Sequence, residues 1–311
     1  MRKDTENVLG GTIMTNVNSI KDRLRNIAKN EHSTMQNELI TYALERAIYR
    51  MSVSDYASNF TLKGGIFLYA FFDRKYPRAT MDIDLLADRI SNDSEHMKSV
   101  FKDIFSISCD DALNFDLSTL EVNNITEFKD YHGVNVRIIA FLDKTRIPVS
   151  IDVGFGDIIY PDRVKMEFPV LLDMDVPYVY AYSIYSVIAE KFEAIVSLGM
   201  FNSRYKDFYD IFAISNEFAL NGKELQAAVV ETFNHRNTDF SNIVAFDEVF
   251  MNDSSVSSRW KSFIKKKQVN QEINFSTVIN QNKLLLLPIV DSIQKNETFD
   301  KNWDSTMKMW I

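Results

Sequence analysis

A pair of glycines followed by two alternating aspartates constrains the fold of this chain more than any other stretch. Gly64 and Gly65 precede an apolar run with helical spacing, and Asp82 and Asp84 alternate with large apolar residues in a run with strand character. Successive strand residues point to opposite faces, so the two carboxylates share one face while the apolar side chains pack behind it. The pattern predicts a glycine turn, a helix and an acid-bearing strand of an α/β protein.

Two carboxylates this close repel each other unless a cation lies between them. Mg²⁺ prefers oxygen ligands, usually one or two carboxylates completed by phosphates and water. A glycine turn has no Cβ, so its backbone N–H groups and the helix that follows can approach phosphate oxygens. Taken singly, Gly64-Gly65 is also typical of an ordinary turn, and Asp82-x-Asp84 of a solvated strand edge or helix cap. Together they indicate a site for a metal ion and a triphosphate.

Further acids and one lysine extend this pattern. Asp152 lies between two apolar residues in a predicted strand, and a two-metal site needs ligands from more than one strand and a group that takes a proton from the attacking hydroxyl. Lys191, on a predicted helix, precedes Asp207 and Asp210. Lysine suits a triphosphate because it is a flexible point charge with three donors. The alternative, which the spacing alone favours, is a salt bridge between two helices.

Length and composition limit the class of protein. The chain has 311 residues, enough for two domains or one large one, and its single cysteine, Cys109, fits a reducing cytoplasm without a disulfide framework. The sequence has no run of about 18 apolar residues and no basic-then-apolar leader, so we expect neither a membrane span nor secretion. The formal net charge of −8 argues against non-specific coating of nucleic acid and leaves a local basic groove open.

Hydrophobic periodicity predicts an α/β fold in two parts. Residues 1–180 are expected to form a domain with a small mixed sheet flanked by helices, which the glycine and aspartate motifs mark as nucleotidyltransferase-like, and residues 1–13 are expected to be its mobile end. Residues 181–311 are expected to form a mainly helical domain that completes the cleft. Helices are predicted over 17–27, 35–49, 88–105 and from Ser183, and strands over 112–128, 134–142 and 176–182. Arg46 and Arg50 are expected on a solvated helix face or at the phosphate site.

These motifs resemble those of the AbiEii/MenT-like nucleotidyltransferase toxins of type IV toxin–antitoxin and abortive-infection systems. The resemblance extends from the helix over 35–50 to about Phe212. The stretches that carry it are Leu62-Lys63-Gly64-Gly65, Arg78-x-Thr80-x-Asp82-Ile83-Asp84, Ile151-Asp152-Val153, Glu190-Lys191 and Arg204-x-Lys206-Asp207-x-x-Asp210. The combination is more specific than any one of its parts.

The resemblance and the chemistry above together give three sets of expected site residues. The catalytic set is Asp82, Asp84, Asp152, Lys191, Asp207 and Asp210. The nucleotide-binding set is Lys63, Gly64, Gly65, Thr80 and Lys191. The metal-binding set is Asp82, Asp84 and Asp152. Thr80 aligns with a hydroxyl residue that some members of the family use for self-phosphorylation, and a capping or strand-edge threonine is the alternative.

The resemblance also implies a reaction and partners. We expect transfer of a nucleoside monophosphate from a nucleoside triphosphate (NTP), with GTP or CTP favoured, to an RNA acceptor, the tRNA 3′ end. Mg²⁺ is the expected cofactor, with Mn²⁺ as a substitute. A cognate antitoxin, of which a DNA-binding repressor is one candidate, is the expected protein partner, in the cytoplasm and without a membrane. The alternatives are a GTP- or NTP-binding toxin that acts by binding or by transfer to protein, and a purely structural partner, against which the intact motifs argue.

Three basic stretches are candidates for contact with RNA. Arg74, Lys75 and Arg78 precede the aspartate pair, and Arg204 with Lys206 precedes the last acidic motif. Residues 259–267 interleave five cations with two aromatic residues, a mixture that can bind phosphates and stack on bases. The alternative for the last stretch is a solvated helix face with its apolar residues packed inward, namely Trp260, Phe263 and Ile264.

Overall fold

The computed structural model describes residues 17–126, 132–240, 243–251, 253–266 and 273–311. The predicted mobile end, residues 1–13, lies outside these ranges, as does the last lysine of the basic stretch, Lys267. The described helices are α1 (Val17–Asn30), α2 (Met35–Ser52), α3 (Gly64–Phe71), α4 (Ser94–Phe105), α5 (Ile184–Leu198), α6 (Tyr205–Glu217), α7 (Gly222–His235), α8 (Glu248–Met251), α9 (Ser254–Lys266) and α10 (Phe275–Gln294). None of them is both long and apolar enough to cross a membrane.

Seven strands form a mixed sheet in the order β3-β4-β5-β2-β1-β7-β6. They are β1 (Phe60–Lys63), β2 (Ile83–Ala87), β3 (Leu113–Thr126), β4 (His132–Leu142), β5 (Thr145–Phe155), β6 (Val164–Glu167) and β7 (Tyr178–Ala181). β2 pairs with β5 and β1 pairs with β7 in parallel, and the other neighbours are antiparallel. The predicted α/β fold with a mixed sheet flanked by helices is confirmed.

The helix and strand boundaries follow local chemistry. Ser183 caps α5 by accepting a hydrogen bond from the backbone N–H of Ser186, as its position in the sequence predicts. The helix predicted to begin at residue 88 begins at Ser94, because the Asp93 side chain accepts a hydrogen bond from the N–H of His96 and ends the preceding turn. β6 lies outside the predicted strands, and its mostly exposed residues and its place at the end of the sheet make it an edge strand.

Arg46 and Arg50 on α2 lie neither on a solvated face nor at the phosphate site, so both expectations for them are wrong. Each is 2% exposed. Arg50 donates two hydrogen bonds to the buried carboxylate of Asp111, at 2.5 and 3.1 Å, and Arg46 donates a third at 3.3 Å. The buried charges are thus paired inside the protein, which is the condition for their burial.

One hydrophobic cluster joins the two halves of the chain. It includes Leu62 and Leu85 from the sheet, and Phe192, Phe208 and Trp303 from the C-terminal half. A second, three-stranded sheet, of β8 (Leu220–Asn221), β9 (Asn302–Asp304) and β10 (Met309–Trp310), lies in that half. The division into domains at residue 180 stays a prediction.

Candidate active site

A row of four polar side chains crosses the centre of the sheet. Lys63 on β1 is the register partner of Asp84 on β2, Asp84 is the partner of Asp152 on β5, and Asp152 is the partner of Asn135 on β4. Cross-strand partners point to the same face of a sheet, so the four side chains are neighbours. The prediction that the Asp152 strand lies beside the strand of the aspartate pair is confirmed.

Alternation along the strands produces this row. Ile83 and Leu85 on either side of Asp84 are buried, as are Ile151 and Val153 on either side of Asp152. Because the apolar residues occupy the core face, the acids are left on the opposite face. The same alternation that folds the strands therefore places two carboxylates side by side.

Burial and like charge act on Asp84 together. Burial raises the pKa of its carboxyl group, and the charges of Asp82 and Asp152 raise it further. Lys206 and Lys63 act in the opposite direction without cancelling the rise. The protein therefore leaves part of the negative charge at this site unbalanced, and a bound cation would balance it.

Asn135 fixes the orientation of the second acid. Its side-chain N–H group donates hydrogen bonds to Asp152 Oδ1 at 2.6 Å and to Ser150 Oγ at 3.1 Å. Within the described residues, Oδ1 is the only oxygen of Asp152 that accepts a hydrogen bond from a side chain. This amide was not among the residues selected from the sequence, because a single asparagine on a strand carries no motif.

The glycine turn lies directly against Asp84. Gly64 has φ +65, and a Cβ added to it would lie 1.9 Å from Asp84 Oδ2. The backbone N–H of Gly65, in the first turn of α3, donates a hydrogen bond to the same oxygen at 3.3 Å. Only glycine fits between this backbone and the carboxylate.

Replacing Gly64 by alanine should therefore lower the free energy of unfolding by about 2–4 kcal/mol, from the left-handed backbone and the forced contact with Asp84 together. Gly156 offers a matched control, because it has φ +80 but no atom within 4 Å of an added Cβ. Its replacement by alanine should cost only the backbone part, about 1–2 kcal/mol. Urea denaturation compares the two, and equal losses would show that the Gly64 contact relaxes freely.

Thr80 has a buried hydroxyl that faces the same turn. The residue is 5% exposed, and Oγ1 has no hydrogen-bond partner among the described residues. Oγ1 lies 2.7 Å from the position of a Cβ added to Gly65. A buried hydroxyl without a partner costs free energy, so a ligand that supplies one would be favoured here. Thr80 also lines a cavity of about 620 Å³, together with Arg78, Tyr76 and Lys75.

The structure brings Lys191, Asp207 and Asp210 together, as the sequence indicated, but as a buried ion cluster. The Lys191 ammonium lies 3.1 Å from Asp207 Oδ1 and 2.6 Å from Asp210 Oδ2. Arg78 binds Asp210 through two hydrogen bonds of 2.7 Å, and Arg204 binds Asp207 through one of 2.7 Å. Burial opposes the charged form of Lys191, yet Asp210 and Asp207 raise the pKa of its ammonium.

Arg78 connects this cluster to the glycine turn. Its Nη2 lies 3.4 Å from the position of a Cβ added to Gly65, and its Nε also approaches the hydroxyl of Tyr76. The Tyr76 hydroxyl donates a short hydrogen bond to Asp210. Arg78 was considered as an RNA-binding cation, but it is 6% exposed and paired, so that expectation is wrong.

Lys63 is held by a second cluster of charges. Its ammonium lies 3.1 Å from Asp157 and 3.2 Å from Glu190, and Arg236 pairs with the same two acids from the end of α7. Burial opposes the charge on Lys63, but Glu190, the Tyr182 hydroxyl and Asp157 raise the pKa of its ammonium. Lys63 is thus a fixed cation beside Asp84. Sequence reasoning gave Asp157 and Arg236 no role, because the pairing of Asp157 with both Lys63 and Arg236 depends on the tertiary fold.

The donor set fits a hard divalent cation. Asp84 and Asp152 supply neighbouring carboxylate oxygens, with Asp82 next to β2, and oxygen ligands are those that Mg²⁺ and Mn²⁺ prefer. Within the described ranges, no group of three or more His, Cys, Asp or Glu side chains is arranged to hold a metal ion. The protein thus provides part of a coordination shell, of the kind that substrate phosphates and water complete.

The mixed sheet, with a glycine turn packed against a carboxylate-bearing strand, defines an α/β protein of the nucleotidyltransferase-like class. The chain belongs to the family described as nucleotidyl transferase AbiEii toxin, type IV toxin–antitoxin (TA) system, whose sequence profile matches residues 46–281. That range contains all of the predicted site residues. The family resemblance inferred from the motifs is therefore confirmed.

Two solved structures from Helicobacter pylori are similar to this chain. The crystal structure of JHP933 has 14% sequence identity and a TM-score of 0.48, and covers 85% of this chain and 95% of its own. The crystal structure of a candidate nucleotidyltransferase has 14% identity and a TM-score of 0.47, and covers 83% of this chain and 96% of its own. A comparison with curated proteins gave no significant match.

Proposed function

We propose that the protein transfers a nucleoside monophosphate from an NTP to an RNA acceptor in a metal-dependent reaction. Membership of the AbiEii family establishes the coarser class, a nucleotidyltransferase toxin of a type IV toxin–antitoxin system. The observation that carries the finer proposal is the contact between the Asp84 carboxylate and the Gly64–Gly65 turn. The carboxylate that we propose as a metal ligand thereby lies beside backbone amides of the kind that suit a phosphate.

The triphosphate would bind on the turn at the start of α3. Gly64 and Gly65 allow close approach of the phosphates to the backbone, and the Thr80 hydroxyl would supply a hydrogen bond to one of their oxygens. Lys63 lies beside Asp84 as a fixed positive charge. Asp84 and Asp152, with Asp82, would hold Mg²⁺ or Mn²⁺, which supplies charge stabilisation to the transferring phosphoryl group.

In the transfer, an RNA hydroxyl oxygen forms a bond to the α-phosphorus as the bond from that phosphorus to the bridging oxygen breaks and pyrophosphate leaves. We assign the proton of the attacking hydroxyl to Asp152, because Asn135 holds that carboxylate through Oδ1 and no side chain of the described residues donates to its other oxygen. Lys63 stays charged and balances the negative charge that develops.

Lys191, Asp207 and Asp210 support the site in a different way from that expected. Together with Arg78 their charges sum to zero, and the cluster holds Arg78 against the Gly65 turn. We therefore propose that they position Arg78 and the turn, and that Lys63, the register partner of Asp84, rather than Lys191 is the lysine that serves the metal-binding acids. Direct contact of Lys191 with the phosphates would require it to leave both carboxylates.

The acceptor and partners remain part of the proposal. We propose the 3′ end of tRNA as the acceptor, GTP or CTP as the donor, and a cognate antitoxin as the protein partner, in a system that acts in phage defence. The tRNA 3′ end is the acceptor that the family resemblance implies, and it is an unpaired strand with a free hydroxyl. Transfer to protein is the competing outcome, since the same site would hold the same NTP.

Incubation with Mg²⁺, each α-³²P-labelled NTP and total tRNA tests the proposal. We expect label in tRNA with one or two of the four NTPs, and none when Asp84 is replaced by asparagine or when the metal is chelated. Label that enters the protein instead would support transfer to protein and overturn the RNA acceptor. Absence of label from both, with NTP bound, would overturn the proposed transfer.

A further inference from the structure

The turn between α5 and α6 carries an aromatic side chain that the fold does not use. Phe201 is 91% exposed, and Leu198 and Met200 beside it are also exposed. Single exposed apolar residues are ordinary, but three within four residues form a patch of the kind that marks an interaction site. Phe201 is the most exposed of the large apolar side chains in the described ranges.

The base of this turn is anchored, so Phe201 has a defined position. Asn202 is buried, and its backbone N–H donates a hydrogen bond to the carbonyl of Gly199 at 3.2 Å. Its side-chain oxygen accepts a hydrogen bond from the N–H of Arg204 at 2.7 Å. A side chain displayed on an anchored turn loses little conformational entropy on binding.

Two cations follow Phe201 at the start of α6. Arg204 and Lys206 are both exposed, and Arg204 also pairs with Asp207. Lys206 directly precedes Asp207, whose ion cluster reaches the Gly65 turn through Asp210 and Arg78, and the charge of Lys206 lowers the pKa of Asp84. Phe201 and Lys206 are five residues apart, so their Cα atoms are separated by at most about 18 Å, the length of a few nucleotides. In a chain of net charge −8, cations in this place favour a polyanion.

Helix α9 adds to the same surface. Trp260 is buried against Tyr205, with ring centroids 6.2 Å apart, so the predicted inward packing of its aromatic residue is confirmed. This contact places the exposed Arg259 near the start of α6, where its charge acts on Tyr205. The nearby acid is Asp253, which raises the pKa of the Tyr205 hydroxyl while Arg259 lowers it. The basic stretch therefore contributes charge here rather than an aromatic surface.

We propose that this surface, formed by Phe201, Arg204, Lys206 and Arg259, binds the unpaired end of the RNA acceptor. A base would stack on Phe201, and the phosphates that follow would lie along the cations toward Asp84. Aromatic rings beside cations are how proteins bind unpaired nucleotides without requiring a particular sequence. The inference rests on the proposed function, and it names the surface by which the acceptor reaches the site.

Replacement of Phe201 by alanine and by tryptophan tests the stacking. The probe is a fluorescein-labelled RNA hairpin with an unpaired 3′ strand, compared by fluorescence anisotropy with the same hairpin ending blunt. We expect Phe201→Ala to weaken binding of the unpaired end about tenfold and Phe201→Trp to retain it. The control is Tyr178→Ala, which removes a 66% exposed ring from β7, and its binding should be unchanged.

Several outcomes would overturn the inference. The first is that Phe201→Ala and the wild type bind the unpaired end with equal affinity. The second is that Phe201→Ala weakens binding of the blunt hairpin by the same factor. The third is that Phe201→Ala binds RNA as the wild type does but is no longer neutralised by the cognate antitoxin, which would assign the surface to a protein partner. Binding is measured without NTP, so it is independent of transfer. A protein that binds the unpaired end through Phe201 but labels no RNA would overturn the proposed function alone.

Discussion

Replacement of Asp84 by asparagine is expected to abolish nucleotidyl transfer and at the same time to stabilise the fold. Loss of a metal-binding carboxylate removes several kcal/mol of transition-state stabilisation, a decrease in kcat/KM of at least about 10³-fold. The fold should gain about 1 kcal/mol of unfolding free energy, because a half-buried carboxylate repelled by Asp82 and Asp152 is lost. Asparagine keeps an oxygen that can accept the hydrogen bond from Gly65.

The gain in stability should depend on pH in a defined direction. Because the pKa of Asp84 is raised in the folded protein, the folded state binds the proton more tightly than the unfolded chain, and ionisation of Asp84 lowers stability as pH rises through the raised pKa. The difference between the variant and the wild type should therefore be largest at neutral pH. It should vanish below the ordinary value of 3.8, where the carboxyl is protonated in both states.

Urea denaturation in the presence of a chelator measures this difference, since a bound cation would stabilise the wild type. Asp88→Asn is the matched control, an exposed aspartate that follows the same strand, and it should change the unfolding free energy by less than about 0.5 kcal/mol. A less stable Asp84→Asn protein would show that the carboxylate is a structural ion, and near-normal transfer would remove Asp84 from the site.

Strand alternation explains why the centre of the site could be predicted from the sequence. When an acid lies between two large apolar residues on a strand, burial of those residues puts the acid on the opposite face of the sheet. The faces of Asp84 and Asp152 could therefore be predicted without tertiary information. The glycine pair is equally local, because the positive φ at Gly64 and the contact with Asp84 leave no room for a side chain. Local rules were sufficient wherever the neighbours were fixed by strand register.

Pairing between distant charges could not be predicted in this way. Arg46 and Arg50 follow the spacing of a polar helix face, but Asp111, more than sixty residues further on, lies buried opposite them and pairs with both. Lys63 likewise receives Asp157 from a loop and Glu190 from α5, more than ninety residues further on. Helical periodicity separates polar from apolar residues, and it does not say whether a polar face meets water or a counter-charge.

Replacement of Asp210 by alanine is expected to lower the free energy of unfolding by about 3–5 kcal/mol. Asp210 is fully buried, and it holds Arg78 through two hydrogen bonds and Lys191 through a third. Without it, Lys191 would keep Asp207, and Arg78 would have no carboxylate partner among the described residues. Breaking a buried ion pair on one side costs more than the pair contributes, because the remaining charge is uncompensated.

The pH dependence of this loss has the opposite sign to that at Asp84. Burial would raise the pKa of Asp210, but Arg78 and Lys191 outweigh it and hold that pKa well below its ordinary value. The stabilisation is therefore fully present above the ordinary carboxyl value of 3.8, and it is lost as pH falls toward the lowered pKa. The unfolding free energies of the wild type and Asp210→Ala should converge in acid.

Asp111→Ala provides the matched control, because Asp111 is also a buried carboxylate held by two arginines but belongs to a different cluster. Both variants should lose comparable stability in urea. At a temperature where near-UV circular dichroism shows both to be folded, Asp210→Ala should also lose transfer, since Arg78 no longer has its partner beside the Gly65 turn, and Asp111→Ala should retain it. Equal transfer activity in the two variants would show that the Asp210 cluster contributes to stability alone. A decrease in the unfolding free energy of Asp210→Ala below about 1 kcal/mol would show that Arg78 and Lys191 reach water in the variant.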